Sequence, residues 1–401
     1  MYLDYSATTP CDPDVVKEMF DSYKVFGNPH SITHAYGWDA TALVEESRTK
    51  FANVINCSPR EVIFTSGATE SNNIAIQGVI RSRLDNGVAP KDIHIITTKI
   101  EHKATLETCL AMESMGIRVQ YVPVQNNGIV DLKALEKAFT DKTLLVSIGW
   151  VNSELGVVQP IKAIGEMCEA KGVLLHVDAA QALGRIKIDL SDINVDLMSF
   201  SAHKFYGPKG IGALYVKKRT KISPIVFGGK QEKGLRSGTI PLQLCVGLAK
   251  AAELAENLRS DEYERMTKMQ KYIVDNLTKE LADIYINGDL KDRIPHNLNI
   301  SFGYVEGEAL MMKLKGYALS SASACSSTTL QPSYVLEAIG VDEDLIHTSL
   351  RIVLGRYTTY ENVYNFVDDV IKAVNELREM SPLWDMKKSG VDLKQVKWHT
   401  H

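Results

Sequence analysis

The sequence predicts an α/β protein: a large domain built on a mainly parallel sheet, joined to a smaller α+β domain. Three observations predict it. Between about residues 60 and 220, short continuous apolar runs alternate with longer helical patterns. Apolar residues at consecutive rather than alternate positions mark strands covered on both faces. A long charged helix pattern then covers roughly 243 to 282, and beyond it the chain changes character.

The apolar runs fall at 61–64, 93–96, 144–148, 173–177 and 195–200, and another strand-like run precedes the basic cluster Lys217, Lys218, Arg219 and Lys221. After the long helix come a strand-like segment at 297–302, a loop rich in Ser and Ala, and a helix near 361–379. The smaller domain is placed from about residue 258. Residues 16–257 then form the large domain, and 1–15 with 258–401 the small one.

Composition narrows the function classes. An apolar fraction of 45% and a charged fraction of 23% suit a globular chain with a sizeable core. A net charge of -4 argues against direct nucleic-acid binding. The basic cluster is a solvated turn or a dock for an acidic partner. The 6 cysteines are scattered with no C-x-x-C pair, which suits a reducing compartment and offers no zinc-ribbon spacing. No apolar run approaches the roughly 20 residues needed to span a bilayer. No secretory or transit segment is evident at the start. A soluble, intracellular protein is expected.

Ligands of open α/β sheets gather at the carboxyl ends of the strands, so the residues just past each strand carry the chemistry. After Thr65 comes Ser66-Gly67-Ala68-Thr69-Glu70-Ser71-Asn72, opening a helix. Small residues before a helix N-terminus make a phosphate cradle; the plainer reading is a Ser/Thr cap. The strand through Val177 ends at Asp178, with Gln181 three residues on. A buried acid needs a cation or a capping role, and a pyridinium nitrogen is such a cation. The strand ending at Phe200 runs into Ser201-Ala202-His203-Lys204. A lysine there can form a Schiff base if its surroundings lower its pKa. Cradle, acid and lysine together match the needs of pyridoxal phosphate. His102 lies just past a fourth strand, where an imidazole can lie on the cofactor ring or shuttle protons. In the glycine-rich segment 228–239, Ser237 and Thr239 offer further phosphate contacts.

Cys325 lies in a loop of small polar residues, 318–329. A thiol there is accessible, and as thiolate it is a strong nucleophile. Arg351, in a semi-apolar run, can clamp a carboxylate with two parallel hydrogen bonds or form a structural ion pair.

Together these residues resemble the cysteine desulfurases of the iron–sulfur cluster assembly type, within the class V aminotransferase-like, fold-type-I pyridoxal enzymes. The likeness runs from residues 2–10 through Thr65–Ser71, His203-Lys204 and the 320–327 loop to Ser381-Pro382-Leu383-Trp384. It implies a seven-stranded sheet and a pyridoxal 5'-phosphate cofactor bound to Lys204. It further implies that His102 stacks on the ring, Asp178 pairs with the ring nitrogen, and Gln181 contacts the phenolic oxygen. Ala68, Thr69, Ser201 and His203 serve the phosphate, with Thr239 supplied by the second subunit of a homodimer. Arg351 binds the carboxylate of L-cysteine. Sulfur passes to Cys325 as a persulfide, leaving L-alanine, and feeds iron–sulfur assembly and tRNA thiolation. No resident metal is implied, although Cys325 can transiently ligate a nascent iron–sulfur cluster. Implied partners are a scaffold protein held by the C-terminal tail around Trp384, Trp398 and His399, a frataxin-like protein and sulfur carriers. The compartment is the bacterial cytoplasm or the matrix of a mitochondrion or a related organelle.

The sequence departs from the family pattern at a few positions. Ser153 stands where an asparagine usually contacts the phenolic oxygen, Ala202 and Ala322 replace glycines, and Lys230 interrupts a glycine triplet. An added Cβ is tolerated where φ is negative. Rival readings are a selenocysteine lyase or aminotransferase-like enzyme, which needs no reactive loop thiol, and a non-catalytic assembly subunit.

Overall fold

The computed structural model describes residues 1–321 and 332–390. The first half runs α1 (Pro13–Ser22), α2 (Ala35–Val54), β1 (Val62–Thr65), α3 (Ala68–Leu84), β2 (His94–Thr98), α4 (Lys103–Ser114), β3 (Arg118–Val122), α5 (Leu132–Ala138) and β4 (Thr143–Gly149). Next come α6 (Ile161–Lys171), β5 (Leu174–Asp178), β6 (Leu197–Ser201), β7 (Gly212–Val216) and α7 (Leu242–Glu280). The remainder is β8 (Ile284–Ile286), β9 (Asn297–Phe302), α8 (Gly307–Lys313), β10 (Ser320–Ser321), α9 (Tyr334–Ala338), α10 (Glu343–His347), β11 (Ser349–Val353), α11 (Tyr360–Glu379) and α12 (Pro382–Lys388).

The expected apolar runs are strands, and the fold is the expected α/β one. The large sheet has seven strands in the order β1-β7-β6-β5-β4-β2-β3. Neighbours from β6 to β3 are parallel, whereas β7 is antiparallel to both β6 and β1. Two antiparallel steps restore direction, so β1 ends at the same sheet edge as β5 and β6. The edge strand β3 escaped the sequence reading because Arg118, Gln120 and Tyr121 break its apolar run and its residues are mostly exposed or half-buried.

One face of this sheet packs on a core shared with α2, α6 and α7, the other on a core with α3 and α4. A four-stranded antiparallel sheet, β10-β11-β9-β8, forms a third core with α8 and α11. The expected boundary near 258 falls inside α7, a single helix of 39 residues. Its first half, including Leu248 and Ala252, packs in the large-sheet core; Met266, Met269, Ile273 and Leu277 pack in the small-sheet core. The N-terminal strap bridges to the small sheet through Asp4 and Val353. Leu3 packs in the small-sheet core and Val15 in the large one.

Candidate active site

Strand ends β1, β2, β5 and β6 border one cavity of about 690 Å³, which also reaches the N-terminal strap and Arg351. At its cradle end, helix α3 begins at Gly67 (φ 148°, ψ 177°), a conformation that glycine alone adopts readily, and no side chain caps it. The capping alternative therefore fails: the first N–H groups of α3 face the cavity without a side-chain partner. Gly212 makes this possible, because a Cβ there would sit 2.6 Å from the Gly67 Cα. Ala68, Thr69, Ser201 and His203 line the same end.

Lys204 lies on the short turn after β6. Its Nζ donates to the carbonyls of Ser6 at 2.6 Å and Ala7 at 2.8 Å. Burial, then the nearby Arg185 and Arg351 cations, lower its pKa to about 8, so a useful fraction of neutral amine exists near neutral pH. The His203 imidazole, bonded to Thr8 Oγ1 at 3.1 Å, is lowered to about 4 by burial and by Lys204 and Lys209. It stays neutral and hydrogen-bonds without adding charge.

Asp178 ends β5. Its Oδ1 accepts from the Ala180 N–H at 3.0 Å and its Oδ2 from Asn72 Nδ2 at 2.7 Å. Gln181 Nε2 donates to the Ser6 carbonyl at 2.9 Å, while its Oε1 accepts from Arg185. His102 caps α4, its Nδ1 accepting from the Ala104 N–H at 3.1 Å. Solvent reaches this ring, yet the protein packed around it lowers its pKa. Ser153 lines the cavity, and its carbonyl accepts from Asn297 at 3.0 Å.

Arg351 borders the cavity and is already engaged: Nη2 donates to Asp4 Oδ1 at 2.7 Å and Ser320 Oγ at 2.9 Å. Its Nη1 reaches the Ser153 carbonyl only at 3.4 Å, and Nε is buried without a partner. The ion pair read from the sequence is thus present, with Asp4 as its partner.

Thr239 is exposed and does not line the cavity of its own chain. One placement differs from expectation. Ser237 bonds the Gly229 carbonyl at 2.6 Å, which occupies the hydroxyl expected to meet phosphate. Cys325 and Ala322 lie outside the described residues. Lys230 has φ -93°, a value open to any side chain, and Ala202 is not among the residues with positive φ. Sequence reasoning missed Asp4, Asn72 and Glu101. Glu101 lines the cavity beside His102, fully buried, accepting from Thr98 Oγ1 and the Gly149 N–H, each at 2.6 Å. Burial raises its pKa to about 7.

These groups fit pyridoxal phosphate. An uncapped helix terminus with hydroxyls and a neutral imidazole suits a phosphate, a carboxylate suits a pyridinium, and a partly neutral lysine suits an aldehyde. A family model described as aminotransferase class-V matches residues 1–366. The chain belongs to the class V aminotransferase family. Among its class V relatives, the cysteine desulfurase of Mus musculus is 50% identical over all of this chain and 87% of its own. The cysteine desulfurase IscS of Rickettsia felis is 47% identical, covering 100% of this chain and 97% of its own. A solved NifS-like protein superposes with TM-score 0.87 at 37% identity over 94% of this chain and 100% of that one. SspA in complex with cysteine does so with TM-score 0.79 at 34% identity, covering 89% and 99%.

Proposed function

We propose that the chain is a pyridoxal-phosphate-dependent cysteine desulfurase. The carrying observation is the convergence of an amine with lowered pKa (Lys204), a strand-end acid (Asp178) and an uncapped helix terminus (α3) on one cavity. Relatives named cysteine desulfurase at 47% and 50% identity support the substrate.

Pyridoxal phosphate, when bound, supplies the electron sink that lets a bond at the substrate's carbon atoms be broken. Asp178 would hold a proton on the ring nitrogen, His102 would pack against the ring, and Gln181 and Ser153 would meet the phenolic oxygen. Ala68, Thr69, Ser201 and His203, with the α3 N–H groups, bind the phosphate. Arg351, held by Asp4 and Ser320, orients the carboxylate of L-cysteine. Lys204 takes the proton from Cα and returns one as alanine forms. The Cys325 thiolate attacks the substrate sulfur: an S–S bond forms, the Cβ–S bond breaks, and its electron pair stays with the alanine skeleton, which is then protonated. L-Cysteine and the Cys325 thiol thus give L-alanine and a Cys325 persulfide.

Residues 16–257 form the cofactor domain, and 1–15 with 258–401 the small one. Exposed Phe20, Phe26, Tyr36, Trp38 and Phe227 support a homodimer in which Thr239 completes the partner's phosphate site. The persulfide serves iron–sulfur assembly and tRNA thiolation through a scaffold, a frataxin-like protein and sulfur carriers, in a bacterial cytoplasm or the matrix of a mitochondrion or related organelle. Trp384 packs against Tyr304 with a 5.4 Å centroid separation, so scaffold recruitment falls to the tail beyond it. Trp398 and His399 of that tail lie outside the described residues. Among the described residues, no helix is long and apolar enough to cross a membrane.

The test is stoichiometric. With cofactor and a thiol reductant, the chain releases alanine and sulfide from L-cysteine in equal amounts, and Cys325→Ala releases neither at a comparable rate. Full alanine production by Cys325→Ala favours the lyase or aminotransferase-like reading. A colourless chain that no added cofactor turns yellow favours the non-catalytic one.

A further inference from the structure

Asn72, in the second turn of α3, is fully buried and carries no part of the function described so far. Its Nδ2 donates to Asp178 Oδ2 at 2.7 Å and to Thr105 Oγ1 at 3.3 Å, while its Oδ1 is buried without a partner. A carboxylate can only accept, so the amide must present its nitrogen to Asp178. Leaving the amide oxygen unpaired in the interior costs free energy. A leucine of similar volume would avoid that cost but could not donate.

The donor's position is also specific. Helix α3 begins at the cradle, α4 begins just after His102, and β5 ends at Asp178. Thr105 belongs to the first turn of α4, its N–H bonding the His102 carbonyl at 2.8 Å. One amide therefore links the three elements that meet the phosphate, the ring face and the ring nitrogen. The Ala180 N–H fixes only Oδ1 of Asp178, and Asn72 fixes the other oxygen.

We propose that Asn72 is a positioning residue: it sets the rotation of the Asp178 carboxylate toward the cofactor ring and ties that orientation to the phosphate cradle and the His102 turn. This role rests on the site holding pyridoxal phosphate. An N–H donor favours the charged form of the carboxylate it meets. Without it, the carboxylate would hold the proton on the ring nitrogen less firmly, the ring would withdraw fewer electrons, and the bound cofactor's visible band would titrate at higher pH.

The experiment uses the full chain, stripped of cofactor and titrated with pyridoxal phosphate, with absorbance and fluorescence as readouts. Asn72→Leu preserves volume without a donor; Asn72→Ser is smaller, and its hydroxyl is too short to reach. Both are expected to raise the Kd for the cofactor by about tenfold or more. Both should also move the pH titration of the bound cofactor's visible band upward by about half a unit. Variants with wild-type Kd and band titration, even if the cofactor-free chain melts earlier, overturn the inference while the cofactor reading stands. A wild-type chain with no Lys204-dependent band overturns that reading and the inference with it.

Discussion

Lys204 sets the pH dependence of cofactor loading. Its pKa of about 8 reflects burial and neighbouring cations. The neutral amine is the reactive form, so cofactor uptake by the empty chain should rise with pH up to about 8 and level off above, as stopped-flow absorbance would record. Glu101 gives a stability prediction. Burial raises it from an ordinary value of 4.5 to about 7. The folded chain therefore binds a proton that the unfolded chain releases between those values. The associated stability is present below 4.5 and lost as pH rises through 7. Glu101→Gln should be neutral at low pH and stabilising by up to about 3 kcal/mol at pH 8, by denaturant titration at both pH values. Asp178 was legible in the sequence because it directly follows an apolar run, and Lys204 and His102 because each lies a few residues past one. The Ser6 carbonyl that receives the Lys204 proton was not, since 198 residues separate the pair and no local pattern encodes their meeting. Asn72 and Glu101 stood inside segments already singled out, but their roles depend on which strand lies alongside.

Elements fix what residues alone cannot. Strand β7 reverses direction between β1 and β6, and its first residue, Gly212, leaves room for the cradle. A Cβ there would also lie 2.4 Å from the Phe200 carbonyl oxygen. Because backbone, not a flexible side chain, blocks it, Gly212→Ala should cost about 1–3 kcal/mol and weaken cofactor binding, measurable as a lower urea midpoint and a higher Kd. Helix α12 is held differently. The Arg378 guanidinium lies 4.5 Å and the Lys387 ammonium 5.1 Å from the Trp384 ring centroid. Trp384→Ala should loosen α12 by about 1–2 kcal/mol, seen as faster amide exchange over 382–388 with cysteine turnover unchanged. The sequence marked α7 and the strand at 297–302 by pattern and length. It did not mark β3, whose one-sided exposure removes the apolar signal of a buried strand.

At the scale of the whole molecule, Thr239 distinguishes a lone chain from a pair. It is exposed and does not line its own cavity, so Thr239→Ala should raise the cofactor Kd only if a second copy brings it to the phosphate. Sedimentation should then give a dimer mass at micromolar concentration, and a monomer with wild-type Kd for Thr239→Ala would refute the arrangement. Helix α7 has a different kind of consequence. At 39 residues it is a rod about 58 Å long, and each half is mortared into a different core. Melting that begins in one core has no slack tether at which to halt, so it must fray the beam that props the other. The two halves of the protein should therefore live and die together, vanishing in one sharp calorimetric peak rather than two.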